Sequence, residues 1–366
     1  MIFPRNNTID IAKGIGITLV VLGHNWITLN DRGTLFRIIF SFHMPLFFFT
    51  SGIFLKEVEP LKPFVLAKVD SLLKPYLVVL VFVAIGDMLF HQPLWVKHLF
   101  GIAYGTGITL SWEALWFLPH LFITLIFSRL ILNITAKFNY KLMWRIAIAT
   151  CMLIIGATFI DLFWLVDLSN FSFKNIIFDK MKYLPGLPFS LDLLWVSSAY
   201  VVMGFLLRQA IESLRFNSLI FFIAILTFAT LHYYFHKTID LNLRVYGNVP
   251  ISSLKAILGI YIVISIAKLL NTFTIPKKIL AYLGANSLFI LIFHGPLQLA
   301  AFDLLSLLGR VDYLNGLLAF LISTFMPMLL LERLNIAPPP LLGSDNVLLV
   351  NVLVVMLTRP AELKIA

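Results

Sequence analysis

Long apolar runs, broken by short polar stretches, recur along almost the whole chain. A bilayer core about 30 Å thick is crossed by one helix of roughly 20 mostly apolar residues. Windows of that kind lie near 11–29, 36–55, 72–90, 114–133, 146–166, 190–207, 218–235, 250–270, 283–305 and 314–331. The pattern predicts an all-α polytopic membrane protein with about ten transmembrane helices. A last apolar stretch, 346–357, is too short to span and reads as a re-entrant or surface segment. The chain opens on Met-Ile-Phe-Pro and a polar Arg-Asn-Asn-Thr, and no small-residue cleavage pattern follows the first run, so 11–29 reads as a retained span. Loops are short except 91–113 and 167–189, and no repeat or linker is visible. The expected organisation is one transmembrane domain, 1–335, followed by a tail, 336–366, to which the pattern assigns no role.

Composition agrees with this reading. The 366 residues are 60% hydrophobic and 13% charged, with mean hydropathy +0.94. A soluble domain is about 45–50% apolar and about 25% charged, so a cytosolic enzyme is excluded. Disorder, which needs low hydrophobicity, is excluded as well. Lys and Arg number 28 against 18 Asp and Glu, a net charge of +10. In a soluble protein that balance would raise nucleic acid as a partner; here it reads as the positive-inside bias, with no nucleic acid. With the N-terminus in the cytoplasm, 18 of the 28 basic residues fall inside. An even span count then places both termini in the cytoplasm. A single cysteine, Cys151, allows no internal disulfide, and no metal-ligand spacing occurs.

Ionisable residues at membrane depth cost about 2.5–3.5 kcal/mol each on insertion scales and so need a reason. In the first span Lys13 and His24 are three helical turns apart on one stripe, with Asp10 near the same face. His24 lies about 16 Å further along the axis than Lys13, at about 1.5 Å per residue. A snorkelling lysine and a histidine bonded to a neighbouring carbonyl would explain that pair by itself. Further polar groups accumulate on the outer side, however. His43 enters with the second span at a similar depth, beside Pro45, which frees a carbonyl, and Gly52, which lets helices approach. Glu113, Trp116 and His120 enter with the fourth span, Ser190 and Asp192 with the sixth, and His294 with the ninth. A polar cavity explains this convergence better than scattered contacts. No GxSxG elbow, P-loop or HExxH is present, and Gly14 and Gly16 read as helix-packing positions. A lone imidazole can still serve as general base on an alcohol that attacks an activated acyl group such as a thioester. Lys13 and the following inner-loop cations, Lys56, Lys62, Lys68 and Lys74, suit a phosphate-bearing donor, and equally a topology signal or lipid headgroups.

The run from Ile9 to His24, and then Phe40 to Gly52, resembles acyltransferase family 3, most of all its fucose 4-O-acetylase-like branch. Trp116–Leu118, Leu187–Asp192, Gly204 with Arg208, and Asn286 through His294 are also similar to that branch. The match runs in order from about residue 5 to about residue 330. Many relatives carry Arg where this chain has Lys13, and the segment after Pro340 matches nothing recognised. The resemblance implies a membrane O-acetyltransferase that moves acetyl from acetyl-CoA, as co-substrate and not as bound cofactor, to a saccharide hydroxyl. On that reading His24 is the catalytic base. His43 orients it, serves the oxyanion or shares the base role. Lys13, Asp10, Lys68 and Lys74 serve the acyl donor, and Glu113, Trp116, Asp192 and His294 line the acceptor side. The expected setting is a bacterial inner (plasma) membrane, multi-pass, with membrane lipid and a free or lipid-linked saccharide as partners and the oligomeric state open. The competing reading is a proton-coupled secondary transporter of saccharides, which also uses intramembrane His and Asp but commonly shows internal repeats.

Overall fold

The computed structural model describes residues 7–56, 60–90, 95–165, 184–309 and 311–333. The tail 336–366, its 346–357 stretch, and most of the 167–189 loop lie outside the described residues. Within them the chain is helical, with no strand beyond an isolated bridge between Asp240 and Val245. Eight helical segments are long and apolar enough to cross a membrane, and they coincide with eight of the ten windows. The first and seventh windows fall on shorter helices of 17 residues.

The first two windows are broken where continuous spans were expected. Helix α1 (Asn7–Gly23) stops at Gly23; His24 and Asn25 form the turn into α2 (Trp26–Asp31). Asn25 caps α2 by accepting from Ile27 N–H at 3.0 Å. The second window is α3 (Thr34–Phe40) followed by α4 (His43–Ile53). Pro45 sits in the first turn of α4, where no intrahelical N–H is needed, so the break precedes the proline. Helix α5 (Leu61–Lys68) passes through a π turn, Val69–Leu73, into α6 (Lys74–Phe90). Next come α7 (Trp95–Tyr104), a 3-10 turn at Glu113–Trp116, α8 (Phe117–Lys137) and α9 (Leu142–Ile160). A second 3-10 segment, Pro188–Leu193, leads into α10 (Leu194–Ser213). The remainder is α11 (Ser218–Tyr234), α12 (Val249–Leu270), α13 (Thr274–Ala285), α14 (Ser287–Leu308) and α15 (Asp312–Arg333).

Two helices organise the bundle. Helix α1 is flanked by α4, α12, α13 and α14; α10 packs on α4, α8 and α9. Both hubs rely on glycine where backbones touch. A Cβ on Gly52 would lie 1.9 Å from the Val201 carbonyl oxygen, and one on Gly204 would lie 1.9 Å from that of Phe49. The α4–α10 crossing is therefore a reciprocal backbone contact. Gly14 and Gly284 repeat the device between α1 and α13. Outward positions are apolar: on α11, Leu219, Phe222, Ile223 and Leu226 are all exposed, as lipid-facing residues must be.

The charges inside the bundle are answered locally. Lys255 on α12 is 1% exposed, and its ammonium donates to the carbonyls of Phe235 (2.5 Å) and Lys237 (3.1 Å), just beyond the end of α11. Those carbonyls stand where a helix leaves acceptors without partners and where the dipole favours a cation.

Leucine in place of Gly204 forces α4 and α10 apart. We expect Gly204→Leu to cost about 1–3 kcal/mol and to lower the thermal unfolding midpoint in detergent. An unchanged midpoint would contradict the close crossing.

Candidate active site

Three histidines meet at the end of the bundle where α1 stops. The ring of His24 lies 5.5 Å from that of His294 and 5.7 Å from that of Phe40. Phe40 in turn lies 4.7 Å from His43. His24 is half-buried and turned inward; His43 and His294 are buried. The paired breaks produce this geometry. His24 follows the last residue of α1 and His43 opens the antiparallel α4, so the two imidazoles share a level.

All three rings are held in the same way. Nδ1 of His24 bonds the Val20 carbonyl at 2.9 Å, Nδ1 of His43 that of Ile39 at 3.0 Å, and Nδ1 of His294 that of Leu291 at 2.8 Å. A carbonyl only accepts, so each Nδ1 carries a proton, and in the neutral ring Nε2 then holds the lone pair. Among the described residues no hydrogen-bond partner occupies Nε2 of any of the three. With its rings neutral, the cluster presents three nitrogens able to accept a proton.

Further polar side chains fix the end of α1. Gln298, one turn beyond His294 on α14, donates to the Val21 carbonyl at 2.6 Å. Asn25 donates to the Gly316 carbonyl at 2.9 Å on α15. Neither residue was singled out from the sequence, because an isolated Asn or Gln carries no spacing signal.

The loop 235–248 between α11 and α12 closes over the cluster, and the sequence reading missed it entirely. Its run Ile239-Asp-Leu-Asn-Leu-Arg-Val-Tyr246 alternates apolar and polar residues, a strand-like signal in an otherwise helical chain. Ile239, Leu241 and Tyr246 are buried, and Ile239 N–H donates to the Phe40 carbonyl at 3.3 Å. The Tyr246 hydroxyl joins those of Tyr200 (2.5 Å) and Ser253 (3.0 Å). Burial pushes the Tyr246 phenol up to about 12, so it stays a neutral donor. Thus anchored, the loop sets Asn242 against Glu113, to whose carboxylate it donates, and holds Asp240 and Glu113 within electrostatic reach of His24. Burial raises the Asp240 carboxyl above its ordinary range, while the Leu243 N–H, His24 and Arg32 pull it back.

Behind this layer is a buried ion pair. Arg244 Nε meets Asp192 at 2.9 Å, and its other nitrogens reach Ser190 at 3.0 Å and the Asn242 carbonyl at 2.7 Å. Phe189, Ser190 and Arg244 all have positive φ, of 55°, 56° and 56°. Left-handed residues of this kind cost about 1–3 kcal/mol each and persist only when over-determined. The ion pair, the Leu187 N–H on Asp192 (2.8 Å) and His120 Nδ1 on the Phe189 carbonyl (3.3 Å) supply that determination. Tyr104 adds a bond to the Gly186 carbonyl at 2.5 Å, its phenol held up at about 12 by burial and by Asp192.

The structure thus separates the acceptor-side residues expected from the sequence. Glu113 and His294 belong to the histidine cluster. Asp192 is fully buried and committed to Arg244. Trp116 is 5% exposed and stacked on His120 at 5.5 Å, so its indole offers no open platform for a sugar ring. The donor-side residues lie toward the opposite end of α1. Lys13 sits 4.7 Å above the Phe54 ring, and Arg208 donates to the Leu55 carbonyl at 3.2 Å. Lys68 stands 5.6 Å from the ring of Phe64, whose other neighbour is Arg129 at 4.6 Å. Arg129 is fully buried and was not singled out as a site residue, being counted only among the basic residues of the inner side. Lys74 pairs on the surface with Asp70, and Asp10 is buried in the first turns of α1.

A family model described as an acyltransferase domain matches residues 6–331. No curated protein and no solved structure matches the chain.

Removing one partner of the buried pair strands the other charge. We expect Asp192→Ala to cost about 3–5 kcal/mol by thermal unfolding in detergent. The double variant Asp192→Leu/Arg244→Met should recover part of that loss, a non-additivity that independent sites would not show.

Proposed function

The chain belongs to acyltransferase family 3, whose domain spans nearly all of it, and from that premise we propose that it is an O-acetyltransferase using His24 as general base. Members of this family transfer acyl groups, and the chain is a multi-pass integral membrane protein. The transporter reading is set aside in favour of that activity. The proposal adds the donor, acetyl-CoA, and the acceptor, a hydroxyl of a surface or exported saccharide, in keeping with the fucose 4-O-acetylase-like branch and a bacterial inner membrane.

The observation that carries the proposal is the shared state of the three imidazoles, with Nδ1 occupied by a carbonyl and Nε2 available. In the proposed step, Nε2 of His24 takes the proton of the sugar hydroxyl as its oxygen attacks the thioester carbonyl. The tetrahedral intermediate collapses, the C–S bond breaks, and the imidazolium returns its proton to the leaving thiolate. Asp240 and Glu113, both within reach of His24, favour the transient imidazolium. A neutral His43 with Nδ1 spent on Ile39 has only a lone pair to offer. It therefore fits a shared base role better than donation to the oxyanion. His294 stands in the same position.

At the other end of α1, Lys13, Lys68 and Lys74, with Asp10 beside them, are assigned to the CoA side. The axial separation of Lys13 and His24, about 16 Å, suits a donor whose phosphates stay at the cytoplasmic mouth while its thioester reaches inward. Arg129 and Arg208 join this group, since a planar guanidinium grips phosphate in a way an ammonium does not.

Purified protein in nanodiscs should release CoA from acetyl-CoA only when an acceptor is present. His24→Ala should slow that release by about 10²–10⁴-fold without shifting the thermal midpoint. Full turnover in a folded His24→Ala protein would overturn the assignment of the base. Mass spectrometry of cell-surface glycans, with and without the protein, identifies the acceptor by the gain of one acetyl mass.

A further inference from the structure

A cavity of about 430 Å³ opens at the His24 end of the bundle, between the α2–α3 junction, the end of α9 and the 235–248 loop. That volume falls within the range of small-ligand sites, about 300–1,000 Å³. Its lining is cationic: Arg32, Arg37, Lys237 and Arg244 stand against one carboxylate, Asp161. Arg244 is engaged with Asp192, but no described carboxylate lies within ion-pair distance of Arg32, Arg37 or Lys237. Under the topology read from the sequence this is the face where basic residues are the minority, so their gathering around one cavity calls for a ligand.

The cavity adjoins the histidine cluster through two stacked rings. Phe36 forms part of its wall and stacks on Phe40 at 4.0 Å, and Phe40 touches both His43 and His24. Arg32, held in a left-handed turn at φ 45° with its guanidinium 5.9 Å over the Phe36 ring, shares the neighbourhood of Asp240 with His24. Arg37 is steadied by a bond from Nη2 to the Thr34 hydroxyl at 3.2 Å. A group bound here would hold the rest of its molecule beside the proposed base.

We infer that the cavity binds a phosphate group of the acceptor, so that the substrate is a phosphate-bearing saccharide and not a neutral one. Three cations around one mouth match the charge of about −1.5 to −2 and the three acceptor oxygens of a phosphomonoester. Charge-assisted bonds of this kind are the strong ones, and Arg provides them in bidentate form. The inference rests on the proposed transfer reaction for its purpose but not for its test. The same chemistry could reach the cavity from an anionic lipid headgroup, and the experiment separates the two sources.

Glucose 1-phosphate and glucose are titrated calorimetrically into the full-length protein in phosphatidylcholine nanodiscs. We expect saturable binding of the phosphate and none of glucose, weakening as salt is added. Arg32→Gln/Arg37→Gln should weaken it by about tenfold or more. Lys237→Gln, which leaves the carbonyl bonded by Lys255 untouched, should weaken it to a lesser degree. Binding should persist in discs containing phosphatidylglycerol. Equal binding of glucose, or unchanged binding in both variants at wild-type thermal midpoints, overturns the inference. So does loss of the sugar phosphate in phosphatidylglycerol discs, which would assign the cavity to lipid. His24→Ala should bind as wild type does, so the phosphate site and the proposed chemistry can fail separately.

Discussion

A backbone carbonyl released at a helix end inside a bilayer has no water to turn to, and most of the polar architecture here answers that constraint. Nδ1 of His24 and of His43 adds a second bond to the Val20 and Ile39 carbonyls near two such ends, and Nδ1 of His294 bonds the Leu291 carbonyl within α14. Gln298 satisfies that of Val21, and Lys255 those of Phe235 and Lys237. For the histidines the structural bond has a chemical by-product. Occupying Nδ1 fixes the tautomer and leaves a basic nitrogen facing inward. The plain explanation of a buried histidine, a bond to a nearby carbonyl, and its proposed use as a base are thus compatible with one arrangement seen from two sides of the ring.

The second layer is held by charge. Breaking a buried pair is costly, yet an apolar replacement of both partners is often no less stable, so Asp192–Arg244 is better understood as positioning than as cohesion. It pins three left-handed residues and the 235–248 loop, and the loop carries Asp240 and Asn242 to the edge of the histidine cluster. Strain in the loop and placement of the carboxylates are therefore coupled through one guanidinium.

Hydropathy located the eight helices long enough to cross a membrane, because lipid imposes length and apolarity on each span separately, but it did not locate α13, the short helix that packs on α1. It could not locate the breaks at His24–Asn25 and Ser41–Phe42, since the residues on either side are as apolar as the spans themselves. The Lys13–His24 stripe and the matching level of His43 were legible from helical spacing. Trp116 and Asp192 were assigned to an open acceptor face because residue type suggests chemistry but not exposure; both turned out to be buried. The loop 235–248 was overlooked although its alternation is plain, because a short polar interval between two spans reads as a connector. Arg129 and Gln298 gave no signal, as their roles depend on partners far away in the chain, Phe64 and Val21.

Those distant partners bear on how the molecule is made. The end of α1 emerges early from the ribosome, yet its fastenings come from Gln298 and from the carbonyl of Gly316. Until α14 and α15 are threaded into the bilayer, the end of α1 lacks both of these fastenings. The constellation around it is a product of late assembly, and a nascent chain stalled before these segments cannot possess it.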